Sequence, residues 1–213
     1  MNYDVKMVLP VLVDKIINRF HCLWSIVRTA WLSFWWGIEC RGAVFKGPTI
    51  VRARHAGDIV IGEKSVLNSI LCTNLSGITG PNILDTRPGG KIIIGAHSGL
   101  TAPVISSRSK VEIGSYVNIG SNVRIFDHDF HSLDSALRAV AAEDHRHVRS
   151  KPIWIGDNVF IGTNAIILKG TRVGNRSIIA AGSVVSGLDI PEDSMVRGNP
   201  AVIVPRRSGG GHK

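Results

Sequence analysis

From Ile155 an aliphatic residue returns at every sixth position: Ile155, Ile161, Ile167, Val173, Ile179 and Val185. The residue after each is mostly small (Gly156, Gly162, Leu168, Gly174, Ala180, Ser186), and Val159, Ala165, Thr171, Ser177 and Ser183 stand four places after the first five. The same phase occurs at Ile113, Ile119 and Ile125, followed in the first two cases by Gly114 and Gly120, with weaker copies at Ile94-Gly95 and Ile61-Gly62. A period of six is neither the 3.6 of an α-helix nor the alternation of an ordinary strand. It fits short strands joined by tight turns, with each six-residue unit forming one side of a triangular coil. The aliphatic residue points into the prism, and the small residue after it eases the corner. Three units complete one coil, and coils stack at roughly the 4.8 Å spacing of paired strands. Each coil leaves an apolar face that the next one covers, so stability grows along the stack. The hexads run from Phe45 to Ile190, are strongest from Lys110, and break at a non-hexad insert, Ser132 to Pro152.

This pattern divides the 213 residues into an N-terminal helical segment (1–42), a β-helical domain (43–204, insert 132–152) and a flexible tail (205–213). Residues 11–36 read as a helix with Ile16, Phe20, Leu23, Trp24, Val27, Trp31, Phe34 and Trp35 on one side, and four of the five tryptophans fall there. Such a helix suits either the open end of the prism, a partner subunit or a membrane interface. Lys15, Arg19 and Arg28 interrupt it, so no run of about twenty apolar residues is available to span a bilayer. The short apolar MVLPVLV has no small-residue cleavage site behind it, which argues against a signal peptide. The formal charge of +9 favours anionic partners without choosing among them. Basic residues are dispersed and no helix-turn-helix or RNA-binding signature occurs, so nucleic acid is not expected. Cys22, Cys40 and Cys72 show no metal-ligand spacing and no even count for a disulfide framework, which points to a reducing, cytoplasmic setting.

The densest titratable cluster is Asp127-His128-Asp129-Phe130-His131, at the point where the rhythm stops. A histidine can take up a proton near neutral pH, and a neighbouring carboxylate can fix its tautomer. His131 and His128 are therefore the candidate bases, with Asp127 and Asp129 as supporting carboxylates. The insert is polar, and Asp134 is placed to cap a helical turn within it.

Phe130-His131-Ser132-Leu133-Asp134 resembles the Gly/Thr-His-Pro-Leu/Ile-Asp element of galactoside, maltose and nodulation-factor O-acetyltransferases. Asp127 to Asp134 as a whole is closer still to capsule and lipopolysaccharide O-acetyltransferases of the same left-handed β-helix superfamily. The likeness continues through Lys151-Pro152-Ile153-Trp154-Ile155-Gly156-Asp157-Asn158-Val159 to Arg197-Gly198-Asn199-Pro200-Ala201. It implies an all-β, left-handed parallel β-helix, an acetyl-CoA-dependent O-acetyltransferase and a homotrimer with the cofactor between two prisms. No metal is implied. His131 matches the family's catalytic base, with His128 in the same turn as the second candidate. Phe160, Thr163, Ala181 and Ser186 match cofactor-contacting positions, and Lys169, Arg172 and Arg176 are candidate neighbours of the nucleotide phosphates. The acceptor implied is a sugar hydroxyl of a polysaccharide or lipopolysaccharide precursor, attacked directly without an acyl-enzyme.

The sequence departs from the family at Phe160, where many members carry Trp, and at Ser132, where they carry Pro. The asparagine that contacts substrate in the galactoside enzymes falls near Leu100. The alternatives are a nucleotide-sugar or serine N/O-acetyltransferase and, more remotely, a γ-type carbonic anhydrase using His97, His128 and His131.

Overall fold

The computed structural model describes residues 8–71 and 74–204; the tail at 205–213 and Cys72 lie outside them. Helix α1 (Val8–Trp36) is followed by a left-handed parallel β-helix of short strands. Among the described residues the strands form three sheets of seven, eight and six members, and apart from the final hairpin neighbours within each sheet are three strands apart in sequence, as a three-sided column requires. Face one begins with Glu39–Cys40 and runs through Ile59–Ile61, Ile92–Ile94, Val111–Ile113 and Ile153–Ile155. Face two begins with Val44–Lys46 and includes Asn118–Ile119 and Phe160–Ile161. Face three begins with Thr49–Arg52 and includes Val104–Ser107, Arg124–Phe126, Ile166–Leu168 and Val184–Ser186. All pairings are parallel except the last, where Met195–Gly198 folds back on Ala201–Val204 and closes the far end.

The aliphatic hexad positions fill the axis, with Ile155, Ile161, Ile167, Val173, Ile179 and Val185 all buried in one core cluster. Hydroxyls line the corners inside it and satisfy backbone groups there: Ser177 donates to the Pro191 carbonyl at 2.9 Å and Thr171 to the Leu168 carbonyl at 2.7 Å.

The small residue after each aliphatic has a different role from the expected one. Gly114, Gly120, Gly156 and Gly162 do not adopt positive φ. The left-handed residue comes two places later, at Tyr116 (φ 58), Asn122 (φ 59), Asn158 (φ 57) and Asn164 (φ 60). The glycine is needed because the adjacent coil lies against it. A Cβ on Gly162 would sit 2.4 Å from the Ala181 nitrogen, and one on Gly120 would sit 2.6 Å from that of Thr163. Gly162→Ala is therefore expected to destabilise the column by about 1–3 kcal/mol through overpacking, measured as a lowered urea midpoint at unchanged slope.

Helix α1 lies across the open edge of the first coil, but with the side opposite to its aromatic stripe. Among the described side chains of the helix, Ser25, Thr29 and Leu32 are the buried positions, spaced four and three apart. The Thr29 hydroxyl accepts the Phe45 amide at 3.0 Å and Arg28 donates to the Gly47 carbonyl. The top strand of face two has no strand above it, and the helix supplies partners that its exposed edge lacks. A hydroxyl-bearing side suits that task better than an apolar one, which leaves Phe20, Trp24, Trp31, Phe34 and Trp35 facing outward.

Candidate active site

The rhythm breaks after Phe126, at the edge where face three turns into face one. Phe130, at φ 57, makes the sharp turn. Its ring packs against Phe126 (5.0 Å between centroids) and His128 (4.4 Å). The two ends of the insert are tied together: the Asp129 amide donates to Arg149 at 3.1 Å and the Lys151 amide to the Asp127 carbonyl at 2.8 Å. Between these ends stand two short helices, α2 (Ser135–Arg138) and α3 (Ala141–Arg146). As the sequence suggests, Asp134 caps α2, accepting from the Ala136 and Leu137 amides.

The two histidines receive opposite environments. His128 is buried, with Nδ1 3.1 Å from Asp127. Asp127 also accepts from the Ser107 hydroxyl and the Arg108 and Ser109 amides at 2.7–2.8 Å. Burial opposes its charge, but the bonds from His128 and these donors prevail and hold its carboxyl below the ordinary range. This pair ties the root of the insert to the column.

His131 carries 66% of its side chain in the open, whereas its partner Asp144 shows only 8%. His131 Nδ1 lies 2.7 Å from Asp144 Oδ2, and the other carboxylate oxygen accepts the Ser132 amide at 2.5 Å. The hydrogen bond from His131, joined by that amide, keeps the Asp144 carboxyl below its usual range. A carboxylate can only accept, so Nδ1 carries the proton, and in the neutral ring Nε2 keeps its lone pair. An imidazole held by a carboxylate in this way, with its other nitrogen accessible, can act as a base.

Asp144 was not among the residues singled out from sequence, and Asp129 does not take its place. Asp129 is paired with Lys169 instead, which also engages the ammonium group expected near phosphates. The other expected cofactor positions lie around the column. Phe160 is exposed on face two, Thr163 and Ala181 stack at the corner between faces two and three, and Ser186 ends a face-three strand. Arg172 is on face one, its guanidinium 4.3 Å from the Trp154 ring centroid, and Arg176 is held by Glu192 and Asp193. Leu100 points into the core from face two. Beside Phe126, where the turn to His131 departs, stand Ser106 and, one strand further, Asp85, which bond to each other at 3.0 Å. His97 is stacked on Tyr116 at the edge between faces one and two, so the three histidines of the metal-enzyme alternative do not converge. Among the described residues no group of three or more His, Cys, Asp or Glu could hold a metal ion.

Comparison with known proteins agrees with this architecture. Residues 152–186 match the family signature described as hexapeptide repeat of succinyl-transferase. WbbJ of Escherichia coli strain K12, named for lipopolysaccharide biosynthesis O-acetyl transfer, is 36% identical over 105 residues, or 48% of this chain and 53% of WbbJ. The chain thus spans about half the length of such curated relatives. The hexapeptide-repeat acetyltransferase VCA0836 of Vibrio cholerae, solved with acetyl-CoA, is 25% identical, with a TM-score of 0.56 over 96% of this chain and 92% of that one. AntD, an N-acyltransferase from Bacillus cereus, shares the fold at 16% identity, with a TM-score of 0.64 over 85% of this chain and 88% of AntD. Repeat and fold are those of a left-handed β-helix, and the chain is similar over part of its length to hexapeptide-repeat acetyltransferases. Its sequence likeness to WbbJ reaches across about half the chain.

Proposed function

We propose that this protein transfers the acetyl group of acetyl-CoA to a hydroxyl of a sugar in a polysaccharide or lipopolysaccharide precursor. The observation that carries the reading is the His131–Asp144 pair, whose free imidazole nitrogen stands at the edge of a column of this kind. The acceptor oxygen attacks the thioester carbonyl while His131 Nε2 takes its proton. The tetrahedral intermediate collapses with cleavage of the carbon–sulfur bond, and the proton passes to the departing thiolate to give free CoA. The likeness to WbbJ supports a saccharide hydroxyl as acceptor, and acetyl-CoA in the VCA0836 structure supports the donor. His131 and Ser186 lie at one edge of face three, Thr163 and Ala181 at the other. That separation supports a homotrimer in which one copy supplies the base and its neighbour part of the cofactor groove.

Purified protein incubated with acetyl-CoA and saccharide precursors should release free thiol only when the correct acceptor is present. The product should gain one acetyl group that mild alkali removes, as expected of an ester. An alkali-stable product would show N-acylation instead, and no thiol release with any saccharide would remove the reading.

A further inference from the structure

We propose that the outward face of α1 is a docking surface for an anionic lipid bilayer, an inference that does not depend on the acyl-transfer reading. The side of the helix carrying Ser25 and Thr29 is already committed to the column, through the Phe45 amide. The opposite side leaves Phe20, Leu23, Trp24, Val27, Trp31, Phe34 and Trp35 exposed, each by more than half of its surface. At about 100° per residue, the exposed apolar positions from Ile26 to Trp35 sweep roughly half the helix circumference. A helix of a second copy would need only the narrow a/d seam of a coiled coil. A flat bilayer boundary uses the whole arc, and tryptophan rings favour the headgroup level.

The apolar surface does not stop at the helix. Leu71 and Leu75 stand exposed on the adjoining corner of the column, and an open groove of about 830 Å³ lies between them and α1, lined also by Trp24, Arg28, Pro48 and Ile70. Basic residues predominate over acidic ones in this part of the sequence. Residues 15–54 carry seven Lys or Arg against the single acidic residue Glu39, in a chain whose net charge is +9. Basic residues flanking an aromatic face complement the negative surface of an anionic leaflet. Among the described residues no helix is long and apolar enough to cross a membrane, so α1 would lie in the interface plane.

The full-length protein should float with vesicles of phosphatidylethanolamine and phosphatidylglycerol, and its tryptophan emission should shift to the blue. Raised salt or purely zwitterionic vesicles should weaken the association. Replacing Phe20, Trp24, Trp31 and Phe34 together by serine should reduce flotation at least tenfold while leaving the mass of the assembly and the circular dichroism of the β-helix unchanged. A milder variant, Trp31→Ser with Phe34→Ser, should give an intermediate loss even if the fourfold change disturbs folding. Wild-type protein that stays with the soluble fraction, or variants that bind vesicles as well as wild type, would overturn the proposal. So would substitutions that leave vesicle binding intact and dissociate the copies, which would assign the face to a second chain.

Discussion

His131→Ala should lower kcat by about 10²–10⁴-fold, the contribution expected of a positioned general base. Acetyl-CoA affinity and the mass of the assembly should not change, because His131 has most of its side chain in solvent and no part in the core. His128→Ala should behave differently. It removes a buried ring that bonds to Asp127 and packs on Phe130, so its effect should appear first as lost thermal stability of the insert. Measuring both quantities for both variants separates the two roles. Full turnover in His131→Ala, with folded but inactive His128→Ala, would exchange the assignments.

The second large effect is expected at Asp144. An asparagine there is nearly isosteric, but its amide can donate to Nδ1 and so favour the tautomer with the proton on Nε2. The nitrogen that must accept the acceptor's proton would then already carry one. Asp144→Asn should reduce kcat on the order of 10²-fold with little change in KM for acetyl-CoA, and Asp144→Glu should recover part of the loss. Equal effects on kcat and KM, or no effect in a folded variant, would reduce Asp144 to a brace for the insert. The pH dependence has a definite sign. Because the folded Asp144 carboxyl titrates below its ordinary range, its stabilisation of the insert is present above that range and is lost as the pH falls through the lowered value.

The column was readable from sequence because it is built by repetition. One inward position in six, from Ile155 to Val185, specifies both the strand and its partner eighteen residues away. His131 was readable for the complementary reason, that it stands where repetition ends. Asp144 had no such marker. It lies thirteen residues from His131 in an insert that also offers Asp134 and Glu143, and no periodicity says which carboxylate folds back. Asp127 and Asp129 were attractive by adjacency, but in an extended turn adjacent side chains diverge. Here Asp127 meets His128 and the Arg108 loop, and Asp129 meets Lys169, so neither reaches His131. The direction of α1 was obscured by a similar local conflict. Its apolar stripe suggests a buried face, while the unpaired edge of the first coil requires hydrogen-bonding groups, and Thr29 meets that requirement.

The stacking of coils also fixes distance in whole steps. The capped edge belongs to the first coil and the insert leaves from the fourth, so three strand spacings, about 14 Å, separate the coil beneath α1 from the coil that carries the insert. Duplicating or deleting one full turn would lengthen or shorten that reach by about 4.8 Å without rebuilding either end. Related chains with different numbers of turns would then hold the same chemistry at graded heights above whatever the first coil rests upon.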